Sequence, residues 1–516
     1  MKYTAINIGP IVGTISMARK PREMWAASYM FSYLMECIIN EIGRLGKEIK
    51  IVSPASLGDI TNPFYNVGLY PDRVFVEGEI DDINGVLDRA VKTFSKTTGI
   101  GTDYVNIMYV SIEYMERVGA IKELNYLLDC AELDNRPAKD SSRVKVLDLI
   151  QKKYGSPLFE HANGSRKFDI PTLGEIATHK FSKSEKKDEW KKYCIEARDK
   201  DTETDSGEDV FYTKIKNTFK EEFQSNCKYI CIVQADGDNM GKIVSALDTD
   251  KVKILSSALL AYGSEASRII EDYGGLPVYA GGDDLLFIAP VVSDNKVEGQ
   301  YEKVTNIFEL LSTIDACYKS MVDDRMDGKD LGRPEGINKN GIHTSISYGL
   351  SISYYKYPLY EAWNSAIGLL FGTAKNVSGK NAVAWCLRKH SGSGFTGALS
   401  KDLSDESVFQ IFKELMNYSV DENLVSAIAH KLRANEDLLD ILRTQDESRI
   451  KAFYNKIMEE TRQTDATYVG VTRRLLCALF RSNAGNKEVK TSDLLITMYG
   501  MLRTAKFMNG EGDSDE

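Results

Sequence analysis

The sequence lacks several features that would place the chain outside the cell or in a membrane. It has no apolar run of about 18 residues, the length that a membrane-spanning helix needs. Residues 1–8 lack the ordered regions of a secretory signal peptide. The eight cysteines are scattered, without a Cys-x-x-Cys pair or zinc-site spacing. We therefore expect reduced thiols, no zinc, no membrane partner and a cytoplasmic protein.

A surplus of positive charge is missing as well. The chain has 65 Lys and Arg against 75 Asp and Glu, a formal net charge of −10. Because an autonomous binder of naked nucleic acid usually carries a basic field, that class is disfavoured. Local basic patches, or a place in a complex whose other subunits hold the nucleic acid, stay open.

What the sequence does contain is a repeated pattern of strands and helices. Residues 1–115 predict a β-α-β-β-α-β unit, the ferredoxin-like order, and residues 226–391 predict a second, better formed copy. Residues 116–225, between the copies, predict a helical and charged middle segment. The expected fold class is therefore α+β.

The last quarter of the chain predicts a different organisation. A Gly/Ser-rich linker at 392–397 precedes a helical domain at 398–509. The acidic residues 510–516 predict a disordered tail. The 516 residues, 43% of them hydrophobic, are enough for several domains with cores of their own.

A short acidic motif, Gly281-Gly282-Asp283-Asp284, lies between two apolar runs of β-forming residues. The pattern predicts a β-hairpin whose tip presents two adjacent carboxylates. Such a tip suits Mg²⁺ or Mn²⁺, because Mg²⁺ takes one or two protein carboxylates and completes its shell with substrate phosphate oxygens. A plain surface hairpin with acidic turn residues is the alternative.

A second acidic segment follows the apolar strand 228–235 and reads Asp236, Gly237, Asp238, Asn239, Met240, Gly241. The first and third strands of a ferredoxin-like sheet are neighbours, so Asp236 is expected beside Asp283 and Asp284. Three such carboxylates are catalytic metal ligands in phosphoryl and nucleotidyl transfer. The Gly-rich turn is expected to cradle a triphosphate with its backbone N–H groups. For Asp238, metal binding and helix capping both stay open.

Two lysines, Lys375 and Lys380, end a predicted helix and precede the last predicted strand of the second unit. Lysine at a helix C-terminus is ordinary dipole complementation. Beside an acidic site, the pair is expected to neutralise the β- and γ-phosphates of a bound nucleotide. Ser347 and Gly349, on the strand between, are candidates for reading the base.

These motifs resemble the palm domain of nucleic-acid polymerases, nucleotidyl cyclases and GGDEF diguanylate cyclases. Together, residues 8–10, 18–20, 25–29, 234–242 and 281–284 resemble the large polymerase–cyclase subunit of type III CRISPR effector complexes, Cmr type. The resemblance implies two facing palms, the first degenerate and the second catalytic, and a helical C-terminal domain that touches neighbouring subunits. It also implies other complex proteins, CRISPR RNA and target RNA as partners.

The activity that the resemblance implies is a nucleotidyltransferase activated by target RNA. It would convert ATP into an adenylate second messenger, usually cyclic oligoadenylate. A diguanylate-cyclase-like enzyme and a catalytically silent scaffold are the alternatives. Many relatives begin with an HD nuclease domain and carry a zinc module between the palms. Neither is expected in this sequence, so no nuclease activity is expected.

One departure from the family bears on the substrate. The first unit reads Pro71-Asp72-Arg73 at its hairpin, where relatives tend to read Pro-Asn-Arg. The resemblance places Gly9, Asp72 and Arg73 in an acceptor pocket. A carboxylate there repels a second triphosphate and suits a cationic acceptor such as S-adenosylmethionine, which some nuclease-less relatives are understood to join to ATP. A surface Asp in a turn is the alternative.

Overall fold

The computed structural model describes most of the chain. The residues described are 1–116, 118–133, 140–152, 157–163, 170–199, 205–295, 304–326, 331, 344–377, 379–461, 465–484 and 489–510. The predicted disordered tail lies outside the described residues, apart from Gly510.

The first sheet has four antiparallel strands in the order β2-β3-β1-β4. They are β1 (Lys2–Gly9), β2 (Lys50–Ser53), β3 (Arg73–Glu77) and β4 (Asn106–Glu113). The crossing helices are Pro21–Gly43, which begins with a proline at its first turn, and Ile83–Thr98, with the short helix Ile11–Ile15 before them. This arrangement confirms the first ferredoxin-like unit.

The second sheet has six strands in the order β12-β11-β10-β5-β7-β6. They are β5 (Tyr229–Gly237), β6 (Leu276–Tyr279), β7 (Leu285–Pro290), β10 (Ile346–Tyr354), β11 (Ala382–Arg388) and β12 (Gly394–Ser400), and a separate pair is formed by β8 (Val292–Asn295) and β9 (Val304–Asn306). The run β6-β7-β5-β10 repeats the strand order of the first sheet, which confirms the second ferredoxin-like unit.

Helices of the second unit pack around this sheet. They are Met240–Ala246, Thr249–Tyr273, Ile307–Tyr318, Asp324–Met326 and Leu359–Gly372. The longest, Thr249–Tyr273, starts at Asp248, whose side chain caps it by accepting from the N–H of Lys251. It ends at Gly274, where a φ of +104° makes the left-handed cap that glycine allows.

The prediction of a linker at 392–397 is wrong from residue 394 onward, because Gly394–Ser400 forms strand β12 against β11. A glycine-rich strand is stable here since the indole of Trp385 fills the space of the missing side chain. A Cβ on Gly397 would lie 2.3 Å from that ring. The division of the chain into domains stays a proposal.

The remaining described segments are helical. Between the sheets lie Ala120–Glu132, Asp140–Gln151, Pro157–Asn163, Leu173–Ala177, Lys187–Asp199 and Asp205–Phe219. After β12 follow Val408–Leu415, Glu422–Ala434, Glu436–Leu442, Glu447–Ile457, Ala466–Ser482 and Thr491–Met508. Among the helices described, none combines the length and the apolar character needed to cross a membrane.

The two units meet through the segment 54–72 that links β2 to β3. The N–H of Phe64 donates to Ser264 Oγ at 2.8 Å, on the helix Thr249–Tyr273. The N–H of Ala280, just before the Gly-Gly-Asp-Asp turn, donates to the carbonyl of Gly68 at 3.0 Å. Because this segment ends at Asp72, the docking brings the first unit's hairpin close to the acidic turn of the second.

Candidate active site

The acidic residues meet at one edge of the second sheet. Asp236 lies near the end of β5, which pairs with β7, and the turn between β6 and β7 carries Asp283 and Asp284. Gly282 has a φ of +68°, a backbone conformation that glycine adopts without strain. A side chain on Gly281 would collide with the phenol of Tyr279. Both glycines are therefore required by the turn.

A third glycine, Gly237, makes room for one of the carboxylates. A Cβ at this position would lie 2.3 Å from Asp283 Oδ2 and 2.7 Å from Asp283 Cβ. The hairpin tip therefore packs directly against the backbone that follows Asp236. This contact explains why the strand ends in Asp-Gly and not in Asp followed by a larger residue.

The pKa values of the hairpin carboxyls reflect their crowding. Burial, followed by the charge of Asp236, raises the pKa of Asp283 to about 6. Burial, followed by the charges of Asp283 and Asp236, raises the pKa of Asp284 well above its ordinary value, and Asp236 also hydrogen-bonds Asp284. The ionised forms of Asp283 and Asp284 are therefore disfavoured until a cation neutralises them.

The carboxylates at this edge fit a divalent cation whose coordination shell is completed by substrate. Among the described residues, no three or more His, Cys, Asp or Glu side chains are placed to hold a metal ion by themselves. The interacting pair of Asp236 and Asp284, with Asp283 beside it, supplies the one or two carboxylates that Mg²⁺ takes when phosphate oxygens and water fill its shell.

Lys375 provides the positive charge at the site. Its ammonium lies 2.5 Å from Asp236 Oδ2 and 2.9 Å from Asp238 Oδ1, and it donates at 2.8 Å to the carbonyls of Asp236 and Gly237. Although burial acts against the charge, Asp236 and Asp238 raise the pKa of Lys375. The lysine predicted to face phosphate is thus seated on the carboxylate edge.

Of the two roles left open for Asp238, the structure excludes helix capping. Its side chain is 0% exposed, and it accepts from Ser345, Ser347, Lys375 and the N–H of Asn381. Burial acts against its charge, but these bonds, led by Ser345 and Lys375, lower the pKa of Asp238. It does not cap the following helix, whose N-cap is Asn239 without a side-chain cap bond.

The predicted phosphate turn is only partly available. The N–H of Asp238 donates to the carbonyl of Ser345 at 2.7 Å, so it cannot bind phosphate. Asn239, with a φ of +61°, leads into the helix that begins at Met240, and Gly241 is exposed in its first turn. The first N–H groups of a helix have no acceptor within that helix, which leaves these residues as proposed phosphate ligands.

For three other predicted residues, the contacts do not support a role in nucleotide binding. Lys380 makes no side-chain hydrogen bond or ion pair to another described residue, so no contact ties it to the carboxylates. Ser347 is 0% exposed and bonded to Asp238. A Cβ on Gly349 would lie 2.1 Å from the carbonyl of Ala366. The prediction that Ser347 and Gly349 read the base is therefore wrong.

On the acceptor side, Asp72 faces the catalytic turn. Its charge contributes to the raised pKa values of Asp284 and Tyr279, and burial raises the pKa of Asp72 itself against the opposing effect of Arg73. Gly9 ends β1 opposite Asn106. The carbonyl of Asp72 accepts from the N–H of Ile8 at 3.0 Å, which fixes its backbone beside the end of β1.

Arg73 is occupied by another element. Its guanidinium donates to Asn125 at 2.8 Å, Asp129 at 2.7 Å and Glu132 at 2.8 Å, all on the helix Ala120–Glu132. It therefore ties that helix to the first sheet. The expectation that Arg73 lines an acceptor pocket is not met by the contacts it makes here.

Sequence reasoning missed Tyr279, the residue before the turn. Its phenol packs where a side chain on Gly281 would be, and Asp284, Asp72 and Asp283 all contribute to its raised pKa, after burial. An aromatic residue at the end of β6, beside two glycines, was the available signal.

Comparison with known proteins follows the same division of the chain. A family model described as Cas10/Cmr2, second palm domain, matches residues 229–384, and one described as CRISPR-associated protein Cmr2, N-terminal, matches residues 3–225. The CRISPR system Cmr subunit Cmr2 of Pyrococcus furiosus is 30% identical over 217 residues, which is 36% of this chain and 22% of that protein. The match thus spans under a quarter of that relative's length.

Two solved structures show a similar fold. A type III-B Cmr-beta structure in the apo state has a TM-score of 0.52 and 12% identity, covering 89% of this chain and 77% of that one. A type III-B Cmr-beta structure bound to cognate target RNA has a TM-score of 0.52 and 12% identity, covering 98% and 83%. At this identity the similarity concerns the fold alone.

Proposed function

Because the chain belongs to the Cas10/Cmr2 family, we propose that it is the nucleotidyl-transferring subunit of a type III CRISPR effector complex. Its partners are the other proteins of that complex, the CRISPR RNA and the target RNA whose pairing activates it. The Cmr-beta structure bound to cognate target RNA supports this assignment of partners. The product is an adenylate second messenger made from ATP.

The observation that carries the proposal is the acidic edge of the second palm, where Asp236 and Asp284 interact and Lys375 lies 2.5 Å from Asp236. In the reaction, an oxygen of the acceptor attacks the α-phosphorus of ATP, and the bond from that phosphorus to pyrophosphate breaks. Asp236 and Asp284 would hold Mg²⁺ or Mn²⁺, which would neutralise the charge of the phosphates. Lys375, at the same edge of the sheet, would orient the phosphates.

For the acceptor, we propose a cationic molecule, with S-adenosylmethionine as the candidate, in place of a second ATP. The negative field of Asp72 beside the catalytic turn supports this choice, because it repels triphosphate. Arg73, the cation next to it, is already bound by Asp129 and Glu132. The product would then be a conjugate of S-adenosylmethionine and AMP, with cyclic oligoadenylate as the alternative.

The test is product analysis by mass spectrometry on the target-RNA-activated complex, supplied with ATP or GTP, with and without S-adenosylmethionine. We expect a conjugate that requires both ATP and S-adenosylmethionine. A cyclic adenylate formed equally well without S-adenosylmethionine would refute the acceptor, and preferred use of GTP would favour a diguanylate-cyclase-like enzyme.

A variant pair separates catalysis from scaffolding. Asp283→Asn with Asp284→Asn should abolish synthesis while the complex still assembles. The matched control is Glu459→Gln with Glu460→Gln, an adjacent acidic pair that is exposed in the turn after the helix Glu447–Ile457. Unchanged synthesis in the first pair, or no synthesis by the unmodified complex, would favour a silent scaffold.

A further inference from the structure

Asp238 is a buried carboxylate with an unusual number of fixed donors. Oδ2 accepts from Ser345 Oγ at 2.6 Å, Ser347 Oγ at 2.9 Å and the N–H of Asn381 at 2.9 Å. Oδ1 accepts from Lys375 at 2.9 Å and lies 3.0 Å from Ser347 Oγ. With both oxygens engaged and the side chain 0% exposed, a metal or nucleotide could reach it only by breaking these bonds.

The donors come from three separate elements. Ser345 immediately precedes β10 and Ser347 lies at its start. Lys375 follows the helix Leu359–Gly372, and Asn381 immediately precedes β11. Asp238 itself follows β5. One carboxylate therefore joins the ends of three strands and a helix at the edge of the sheet where Asp236 lies.

The turn before β11 is held in a strained conformation. Gly379, Lys380 and Asn381 have φ values of +81°, +56° and +45°, and two of the three are not glycine. The N–H of Asn381 donates to Asp238, and its carbonyl accepts from the N–H of Lys401 at 2.7 Å. Hydrogen bonds to Asp238 and Lys401 thus hold this turn through both backbone groups of Asn381.

Lys401, which binds this turn through its backbone, is held in place by its side chain. The Lys401 ammonium, on a residue 2% exposed, donates at 2.6 Å to both carboxylate oxygens of Asp315 and lies 4.3 Å from the ring centre of Tyr348. Buried ion pairs of this kind are strongly destabilised when one partner is lost. The turn is therefore backed by a rigid contact on the side away from Asp238.

We propose that Asp238 is a positioning residue that seats Lys375 against Asp236 and fixes the strained turn that carries Lys380. It acts through Lys375 and does not touch substrate or metal. The contacts of Asp238 do not depend on the proposed function, and only their consequence for ATP turnover rests on it. In this arrangement, Lys375 keeps its place at the acidic edge because Asp238 still binds it when Asp236 engages a cation.

The first test follows Lys375 directly in the purified full-length chain. Its acetylation by an amine-reactive ester is measured by mass spectrometry at one fixed pH. Asp238→Asn should raise the labelling rate of Lys375 about tenfold, the factor expected for one charge-assisted hydrogen bond. The control is Asp323→Asn, which removes a carboxylate bound to Thr344, next to Ser345, without contacting Lys375. An unchanged rate in Asp238→Asn overturns the proposal.

A variant that removes no charge controls for misfolding of Asp238→Asn. Ser345→Ala removes the 2.6 Å bond to Asp238 but no charge, and should raise Lys375 labelling about threefold. Equal labelling in this variant and in the unmodified chain also counts against the proposal.

The second readout is ATP turnover by the activated complex. A positioning role predicts that Asp238→Asn raises the KM for ATP about tenfold with a smaller effect on kcat, because phosphate binding by Lys375 weakens. A fall in kcat alone, with KM unchanged, would contradict it. If labelling responds but even the unmodified complex makes no adenylate product, the positioning role stands and the proposed function fails.

Discussion

The two palms of this chain share a frame and differ in the residues placed on it. The order β2-β3-β1-β4 of the first sheet is repeated as β6-β7-β5-β10 in the second. At the end of the central strand, the first palm has Ile8 and Gly9 where the second has Asp236 and Gly237. At the following hairpin, the first palm has the long segment 54–72 and the second a tight Gly-Gly-Asp-Asp turn.

The cations of the two palms are also used differently. Arg73 of the first palm is bound by carboxylates of a neighbouring helix, so it serves packing. Lys375 of the second palm is bound by Asp236 and Asp238, so its positive charge lies at the acidic edge. A fold does not by itself define a function. In this chain, a strand end, a turn and one lysine distinguish the proposed catalytic palm from the proposed acceptor palm.

The largest expected effect compares Asp236→Asn with Asp72→Asn. The first change should lower kcat/KM for ATP on the order of 10³-fold, because it removes a charge that acts on the transition state. The second should mainly raise the KM of the acceptor. Pyrophosphate release by the activated complex measures both. Losses in kcat/KM for ATP of equal size in the two variants would remove the distinction between the palms.

A smaller loss is expected from Gly237→Ala. The new Cβ would lie 2.3 Å from Asp283 Oδ2, so the hairpin must shift and kcat should fall on the order of 10²-fold. The matched control is Gly368→Ala, an exposed helical glycine with nothing within 4 Å of the added Cβ, which should leave kcat unchanged. Full activity in Gly237→Ala would show that the hairpin tolerates displacement.

Stability should respond to the crowded carboxyls in the absence of metal. The pKa of Asp283 is raised from 3.8 to about 6, so the folded chain binds this proton more tightly than the unfolded chain. The resulting loss of stability sets in as the pH rises from about 4 to about 6 and is complete above. Asp283→Asn should therefore raise Tm by about 2 °C at pH 7.5 in a chelator, with no gain at pH 4.

The same substitution in the first palm sharpens the comparison. The pKa of Asp72 is raised by burial too, so Asp72→Asn should raise Tm in the same direction. Added Mn²⁺ with an ATP analogue should cancel the advantage of Asp283→Asn only, because ligand binding stabilises the unmodified chain. Cancellation at Asp72 as well would place the metal between the palms.

The smallest effect is expected from Arg73→Met. Its partners are 63% and 38% exposed, so the ion pairs are partly screened and their loss should cost about 1 kcal/mol in the free energy of unfolding. Urea unfolding measures this cost. Affinity for ATP should be unchanged. A marked loss of affinity would support the expectation that Arg73 lines the acceptor pocket.

The parts of the fold that followed from sequence are those with local signals. Both ferredoxin-like units rest on apolar strands and long periodic helices, and the acidic edge follows from neighbouring strands in that topology. Strand β12 was missed because its glycines and serines look like a linker. Its packing partners, Trp385 on the neighbouring strand and the helix Thr491–Met508, are not visible in the local sequence.

The fine structure of the site depended on long-range contacts that no local pattern shows. Asp238 has the same spacing whether it binds metal or is buried, and its donors lie more than 100 positions away. Arg73 was expected at a pocket, but its partners come from a helix some 50 residues further on. Lys375 and Lys380 were predicted from the same pattern, and the fold brings Lys375 of this pair to Asp236.

The most direct test of the division between the palms is metal binding by the full-length chain. Mn²⁺ binding with a non-hydrolysable ATP analogue can be followed by electron paramagnetic resonance in three proteins: unmodified, Asp236→Asn and Asp72→Asn. A catalytic second palm predicts nucleotide-dependent Mn²⁺ binding that is lost in Asp236→Asn and retained in Asp72→Asn. Retention in Asp236→Asn, or loss in Asp72→Asn, would contradict it.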